Sequence, residues 1–208
     1  QPQGLELSAM NEEAEVPRAT IEAAKSGRAK CRRCRQSIGK GELRLGEQVD
    51  NPYGENDATL WYHLACGTIK RPQAFLVAEQ SFSEEIPERS QLTLLAEAGQ
   101  RLPCLCQLAA IEAAPSGRAR CQHCHELIEK GDLRLVRHND ADLMAVPTNS
   151  YIHLSCALKY ARDAESGDAD TAPADLRVHL EHHLSRLEGE LQASARGAVD
   201  ALFTAAGS

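Results

Sequence analysis

Eight side chains in this 208-residue chain have the types and spacing to hold a soft metal ion twice over. Cys31 and Cys34 form a C-x2-C pair, followed after a long gap by His63 and Cys66 as H-x2-C. Cys121, Cys124, His153 and Cys156 repeat the same intervals. Three thiolates and one imidazole match the donors that tetrahedral zinc prefers, and a two-residue gap lets each pair close on one ion. Four protein ligands leave no position for water or substrate, so each site reads as structural Zn2+, two ions per chain. Disulfides cannot use up three cysteines per copy; buried free thiols that happen to recur are the other reading. Cys104 and Cys106 lie outside the pattern, in an apolar segment. They read as buried thiols, with a redox switch or a third metal site as the alternative.

The elements that position these donors come as a duplicated unit. SGRAKCRRC at 26–34 returns as SGRARCQHC at 116–124, and from Ile21 to Cys66 against Ile111 to Cys156 the offset stays at 90 without a gap. About 20 of the 46 aligned positions are identical, every metal donor among them, which sets two small domains rather than one large one. We expect a disordered or vector-derived terminus or cut edge at 1–15, a first domain with a trailing helix at 16–102, and a second with a C-terminal helix at 103–208. GELRLGEQV and GDLRLVRH alternate as half-buried strands do, with Leu43, Leu45, Leu133 and Leu135 inward and Arg44 and Arg134 toward solvent or phosphate. CGTIKRPQAF and CALKYARDA suggest short helices, the first ended by Pro72. Between the repeats a helix carries Leu92, Leu94, Leu95, Leu102 and Leu108 as core. Residues 163–175 read as a polar linker. The segment after it has helical spacing, with Leu176, Leu180, Leu184, Leu187 and Leu191 on one stripe and His179, His182 and His183 on the surface.

Composition narrows the function classes. Aromatic content is 4%, so each unit has a thin core and needs a staple. No apolar run is long enough to span a bilayer, and no signal-like segment opens the chain, which points to a reducing compartment without membrane partners. The net charge of −7 argues against nucleic acid, but its distribution reverses that argument. Lys25, Arg28, Lys30, Arg32, Arg33, Arg35, Lys40 and Arg44 face one nearby acid, Glu42, whereas the matching window of the second copy mixes Arg118, Arg120, Lys130 and Arg134 with Glu126, Glu129 and Asp132. No Walker-type loop, nucleophile elbow or ligase-type lysine motif is present, so no enzyme is expected.

The phrases S-G-R-A-x-C-x2-C, I-x-K-G-[DE]-L-R-L and W-Y-H-x2-C resemble the PARP-type zinc finger. This is the DNA-break-sensing module of poly(ADP-ribose) polymerases and of one class of eukaryotic DNA ligases. The resemblance covers Ile21 to Cys66 and Ile111 to Cys156. The second copy departs from the first at Pro115, Tyr151 and Ile152, where the first has Lys25, Trp61 and Tyr62. It implies tandem small α+β zinc-binding domains, each a short antiparallel sheet plus helices around a Cys3His site. It also implies that Arg28 and Arg118 grip the sugar-phosphate backbone and that Arg44 and Arg134 lean on the backbone or minor groove. Lys30, Arg32 and Arg120 join the candidate set. Tyr53, Leu60, Leu143 and Met144, with Val146, are candidates to stack on a base exposed at a break. The expected function is non-catalytic, sequence-independent recognition of DNA strand breaks or ends, stronger at the first finger, with a DNA-repair enzyme as a second partner. The alternative is a zinc-stapled interaction adaptor or a regulatory fragment of a larger repair enzyme. The expected location is nuclear in a eukaryote, cytoplasmic and nucleoid-associated in a bacterium.

Overall fold

The computed structural model describes residues 16–51, 56–139, 148–163 and 170–204. Two three-stranded antiparallel sheets organise it, in the orders β1-β2-β3 and β4-β5-β6. In the first unit β1 is Ala19–Ala23, β2 Leu43–Val49 and β3 Ala58–His63, followed by α1 Leu64–Lys70, α2 Pro72–Ser81 and α3 Arg89–Arg101. A short 3-10 turn leads into the second unit: β4 Leu108–Ala113, β5 Leu133–Asn139 and β6 Thr148–His153, then α4 Ala157–Arg162, α5 Ala172–Leu184 and α6 Gly189–Thr204.

The repeated K-G-[DE]-L-R-L phrase builds the entry to each central strand. Gly41 and Gly131 take the left-handed conformation, with φ of 83° and 93°, which a side chain would disfavour. The acid that follows closes the turn: Glu42 accepts from the Gly39 N–H at 2.9 Å and Asp132 from the Glu129 N–H at 3.2 Å. Leu45 then pairs with Ile21 and Tyr62, and Leu135 with Ile111 and Ile152, so each sheet buries one apolar row. Leu45 and Leu135 have no exposed surface. The helices cover that row, Phe75 filling the first core and Leu158, Leu176 and Leu180 the second.

Three sequence expectations change here. α1 does stop before Pro72, but that proline opens α2 at its first turn, where a missing N–H costs nothing. The stripe from Leu176 to Leu191 is split, since α5 ends at Leu184, Leu187 lies in the turn, and α6 starts at Gly189, whose φ is 57°. Leu94 is 51% exposed, whereas Leu92, Leu95, Leu102 and Leu108 are core, because α3 rests on its neighbours through one face only.

The two units are joined by more than chain connectivity. α3 of the first packs against α5 of the second. His179 on α5 lies 3.1 Å from the Leu95 carbonyl through Nε2, and Arg101 donates to both oxygens of the buried Asp175 carboxylate, at 2.7 to 3.1 Å. Val178 packs on the first core, while the second core begins at Leu102. α5 is thus covered on several sides, which corrects the surface reading of its histidines: His179 and His183 are buried and His182 half-buried.

Candidate metal centre and nucleic-acid interface

Each C-x2-C pair sits on a tight turn. Arg35 N–H donates to the Cys31 carbonyl and Cys31 N–H to the Gln36 carbonyl, at 2.9 and 2.8 Å, and His125, Cys121 and Glu126 repeat the pattern at the same distances. Closing the turn forces the residue after the second cysteine into the left-handed region: Arg35 has φ 64° and His125 φ 65°. Strand β3 or β6 brings the histidine, and the turn or helix directly after it brings the last cysteine. In both clusters the four donor atoms lie within 4.8 Å of one another.

The imidazoles are oriented for ligation. His63 Nδ1 is 3.3 Å from Cys34 Sγ while its Nε2 lies 3.2 Å from the Ser37 carbonyl. His153 repeats this with Cys124 Sγ at 3.4 Å and the Leu127 carbonyl at 3.1 Å. A carbonyl can only accept, so it fixes the proton on Nε2 and leaves the Nδ1 lone pair facing the sulfurs. The first cysteine of each cluster is prepared as a thiolate. A hydrogen bond with Cys66 brings Cys31 down to about 4, against the opposing effect of burial and with help from the Cys34, His63 and Arg33 N–H groups. At Cys121 burial acts upward, but the N–H groups of Cys124, His153 and His123 outweigh it and bring the thiol to about 7. Donor set and tautomer fit zinc, and the two Cys3His clusters are structural zinc sites. Among the described residues no other cluster of metal donors occurs. Cys104, raised by burial to about 11, and Cys106, also raised by burial, are partly buried free thiols.

The basic residues divide into two groups. Arg28 and Lys30 beside the first knuckle and Arg118 and Arg120 beside the second are exposed, and Arg32 is half-buried. Arg28 and Arg118 make no side-chain hydrogen bond or ion pair with the described residues, whereas Arg120 donates to the His125 carbonyl at 3.0 Å.

Arg44 and Arg134 depart from the solvent-facing expectation. Both are buried, at 8% and 4% exposure. Arg44 bonds Glu22 at 2.5 Å and lies 3.5 Å over the Trp61 ring; Arg134 bonds Glu112 at 2.6 Å and lies 3.6 Å over Tyr151. Strand alternation did place them on the face opposite the core, but an aromatic from the next strand and a glutamate from the previous one close over them.

Trp61 lies so close over β2 that a Cβ on Gly46 would come 2.6 Å from its ring. The second copy has Val136 at that position and the smaller Tyr151 above it, so the two departures belong together. Arg33 is a further correction. It turns inward to donate to the Leu108 carbonyl at the start of β4, locking the first knuckle to the second unit instead of facing solvent. Leu60, a stacking candidate, is 7% exposed and packs in the first core. Tyr53, Leu143, Met144 and Val146 lie outside the described residues.

Sequence reasoning missed Glu22, Glu112, Trp61 and Tyr151 as a supporting row beside the metal. Their signal was present, since an acid, an arginine and an aromatic ring recur at matching positions in both copies.

With the geometry in view, a family profile described as "Poly(ADP-ribose) polymerase and DNA-Ligase Zn-finger region" matches residues 22–98. The chain is 30% identical over 144 residues to poly [ADP-ribose] polymerase 1 of Oryza sativa subsp. japonica, covering 66% of this chain and 14% of the relative. It is 31% identical over 165 residues to the Gallus gallus protein of that name, covering 70% and 16%. Against poly [ADP-ribose] polymerase of Drosophila melanogaster it is 28% identical over 128 residues, covering 55% and 13%. The chain thus spans a small part of these relatives, and the similarity to them is confined to the zinc-finger region. No helix among the described residues is long and apolar enough to cross a membrane. Two matching Cys3His clusters on two matching sheets, the first inside the profile, make this chain a carrier of PARP-type zinc fingers in tandem.

Proposed function

We propose that the chain is a non-catalytic DNA-binding protein that recognises strand breaks or ends without reading sequence. One observation carries this reading. In a chain of net charge −7, an exposed arginine with no partner among the described residues stands beside the zinc knuckle in both copies, Arg28 and Arg118. Phosphate contacts of this kind supply affinity and position but no base specificity. Lys30, Arg32 and Arg120 extend the cationic face, and Tyr53, Leu143 and Met144 are the proposed stacking residues. Arg44 and Arg134 serve by holding Trp61 and Tyr151 over the central strand. A DNA-repair enzyme is the proposed further partner.

The test is fluorescence anisotropy on the zinc-loaded full chain with nicked, blunt, overhanging and continuous duplexes across a salt series. Nicked or blunt DNA should bind more tightly than continuous duplex, with a log–log salt slope near −0.9 per phosphate neutralised. Arg28→Ala should lower affinity more than Arg118→Ala and reduce that slope by about 1. Equal affinity for nicked and continuous duplex, or binding indifferent to salt, would defeat the reading; the latter would favour the interaction adaptor.

A further inference from the structure

We propose that the cleft between the two fingers is a binding site for a phosphate group, held by Arg186, His182 and His183 beside Arg33. Beyond the two zinc centres, this is where the described structure concentrates polar atoms with no partner. A cavity of about 230 Å³ lies between the first knuckle and the second sheet, with Arg33, His138, His182, His183 and Arg186 in its wall. A second space of about 430 Å³ continues from it past Ala109, Ala110 and Asn149. The smaller cavity alone has the volume of roughly seven or eight waters in the liquid, which admits an orthophosphate or a diphosphate.

Three observations point to an oxyanion. The first is charge. No carboxylate lines the smaller cavity, the zinc ligands Cys34 and Cys66 being its anionic groups, and Glu112, the one acid in the wall of the larger, is engaged by Arg134. Arg33 is taken up by the Leu108 carbonyl, and burial, the largest effect on it, outweighs the nearby sulfurs of Cys66 and Cys31. Arg186 has no such partner: its guanidinium makes no hydrogen bond or ion pair among the described residues.

The second is unmet hydrogen bonding. Nε2 of His183, a residue only 3% exposed, and Nε2 of His182 are both buried without a partner. An orphaned buried donor or acceptor costs about 1 to 3 kcal/mol, so two such nitrogens beside one cavity require a reason. With the proton on Nε2 each ring donates, and a tetrahedral oxyanion has enough oxygens to accept from both rings and from a guanidinium.

The third is the field. Burial first, then Arg186 and Arg33, hold His182 down to about 4, and His183 is depressed by burial and by Arg33. The wall also holds Cys34 and Cys66, whose sulfurs are engaged at the metal site, so a bound anion would answer chiefly to the Arg186 guanidinium and to the two uncharged rings as donors.

The donors come from both fingers: Arg33 from the first knuckle, His138 from β5, His182 and His183 from α5, and Arg186 from the turn after it. The site therefore exists only while the units are docked. The ligand chemistry is that of a phosphate group, either free or carried at the end of a nucleic-acid strand, and it does not depend on Arg28 or Arg118.

Isothermal titration of the zinc-loaded full chain with orthophosphate, in chloride buffer of matched ionic strength, tests this directly. Wild type should show saturable binding of one phosphate per chain. Arg186→Gln, at an exposed position whose loss should leave the unfolding midpoint unchanged, should weaken binding at least tenfold, and His182→Gln should weaken it as well. A trinucleotide with and without a 5′-phosphate separates the sources. Tighter binding of the phosphorylated form, lost in Arg186→Gln, assigns the site to a strand end; orthophosphate binding with neither trinucleotide bound assigns it to a free anion. Absence of saturable binding to wild type, or equal affinity in wild type and Arg186→Gln, overturns the proposal. Wild type that binds orthophosphate but not nicked duplex would remove the DNA-break reading and leave this site standing.

Discussion

Replacing Gly46 by valine should destabilise the first finger by about 2 to 4 kcal/mol, and replacing Trp61 by tyrosine in the same protein should recover most of the loss. The new Cβ would stand 2.6, 2.9 and 3.1 Å from three atoms of the Trp61 ring, where carbon atoms rest at about 3.5 to 4.0 Å. The ring must therefore shift by about 1 Å. Overpacking of this kind costs about 1 to 3 kcal/mol. The shift also carries the indole off the buried Arg44 guanidinium, 3.5 Å from its centroid, where a desolvated cation–π contact is worth up to about 2 kcal/mol. Trp61→Tyr alone should cost about 1 kcal/mol in lost ring area. The second finger already carries Val136 under Tyr151, so the double variant should lie within about 1 kcal/mol of wild type, a coupling of about 2 kcal/mol or more. Trp61 is the one tryptophan of the chain, so urea unfolding should be followed by far-ultraviolet circular dichroism with zinc in excess. Simple additivity of the two substitutions would refute the reasoning, because the ring would then not be what excludes a side chain at position 46.

Three further outcomes are expected. Chelation should release two zinc ions per chain and abolish cooperative unfolding, since each cluster draws its donors from a knuckle turn and a distant strand end; cooperative melting of the chelated protein would contradict this. His179 is held down to about 3 by burial, so between about pH 6.5 and 3 the unfolded chain binds a proton that the folded one refuses, and stability falls with acid by up to about 1.4 kcal/mol per pH unit. His179→Gln keeps a donor for the Leu95 carbonyl and removes that slope, so the gap between its urea midpoint and that of wild type should change between pH 7.5 and 5; parallel curves would argue against it. At His125, φ 65° and exposed, glycine should be more stable than valine by at least about 1 kcal/mol, measured in the same unfolding assay.

The metal donors were legible from sequence because chelation fixes both residue type and interval, and a second copy at a constant offset removed chance. The central strands were legible too, since Leu43 and Leu45 alternate with Arg44 and the glycine before them marks the turn. What alternation does not give is the cover on the outer face. Nothing local to Arg44 announces that Trp61 and Glu22, from two other strands, will close over it. The same blindness applies to α5, where helical period identifies one apolar stripe but not that α3 will bury His179 from another side. Arg33 sits in a basic run that looks solvated, and only the docking of the second unit turns it inward. β1 and β4 were silent because Ala-rich segments carry little strand preference.

The contacts that tie α3 to α5 also govern how this protein can be dissected. A scissile point at residue 102 would leave Leu95 and Val178 each facing water across a wound, and would strand the Asp175 carboxylate without its guanidinium. Half-molecules would then differ from the parent in solubility and shape before any ligand was offered to them. The duplicated copies are tied together through α3 and α5, so their separate contributions are best read from single substitutions in the intact chain.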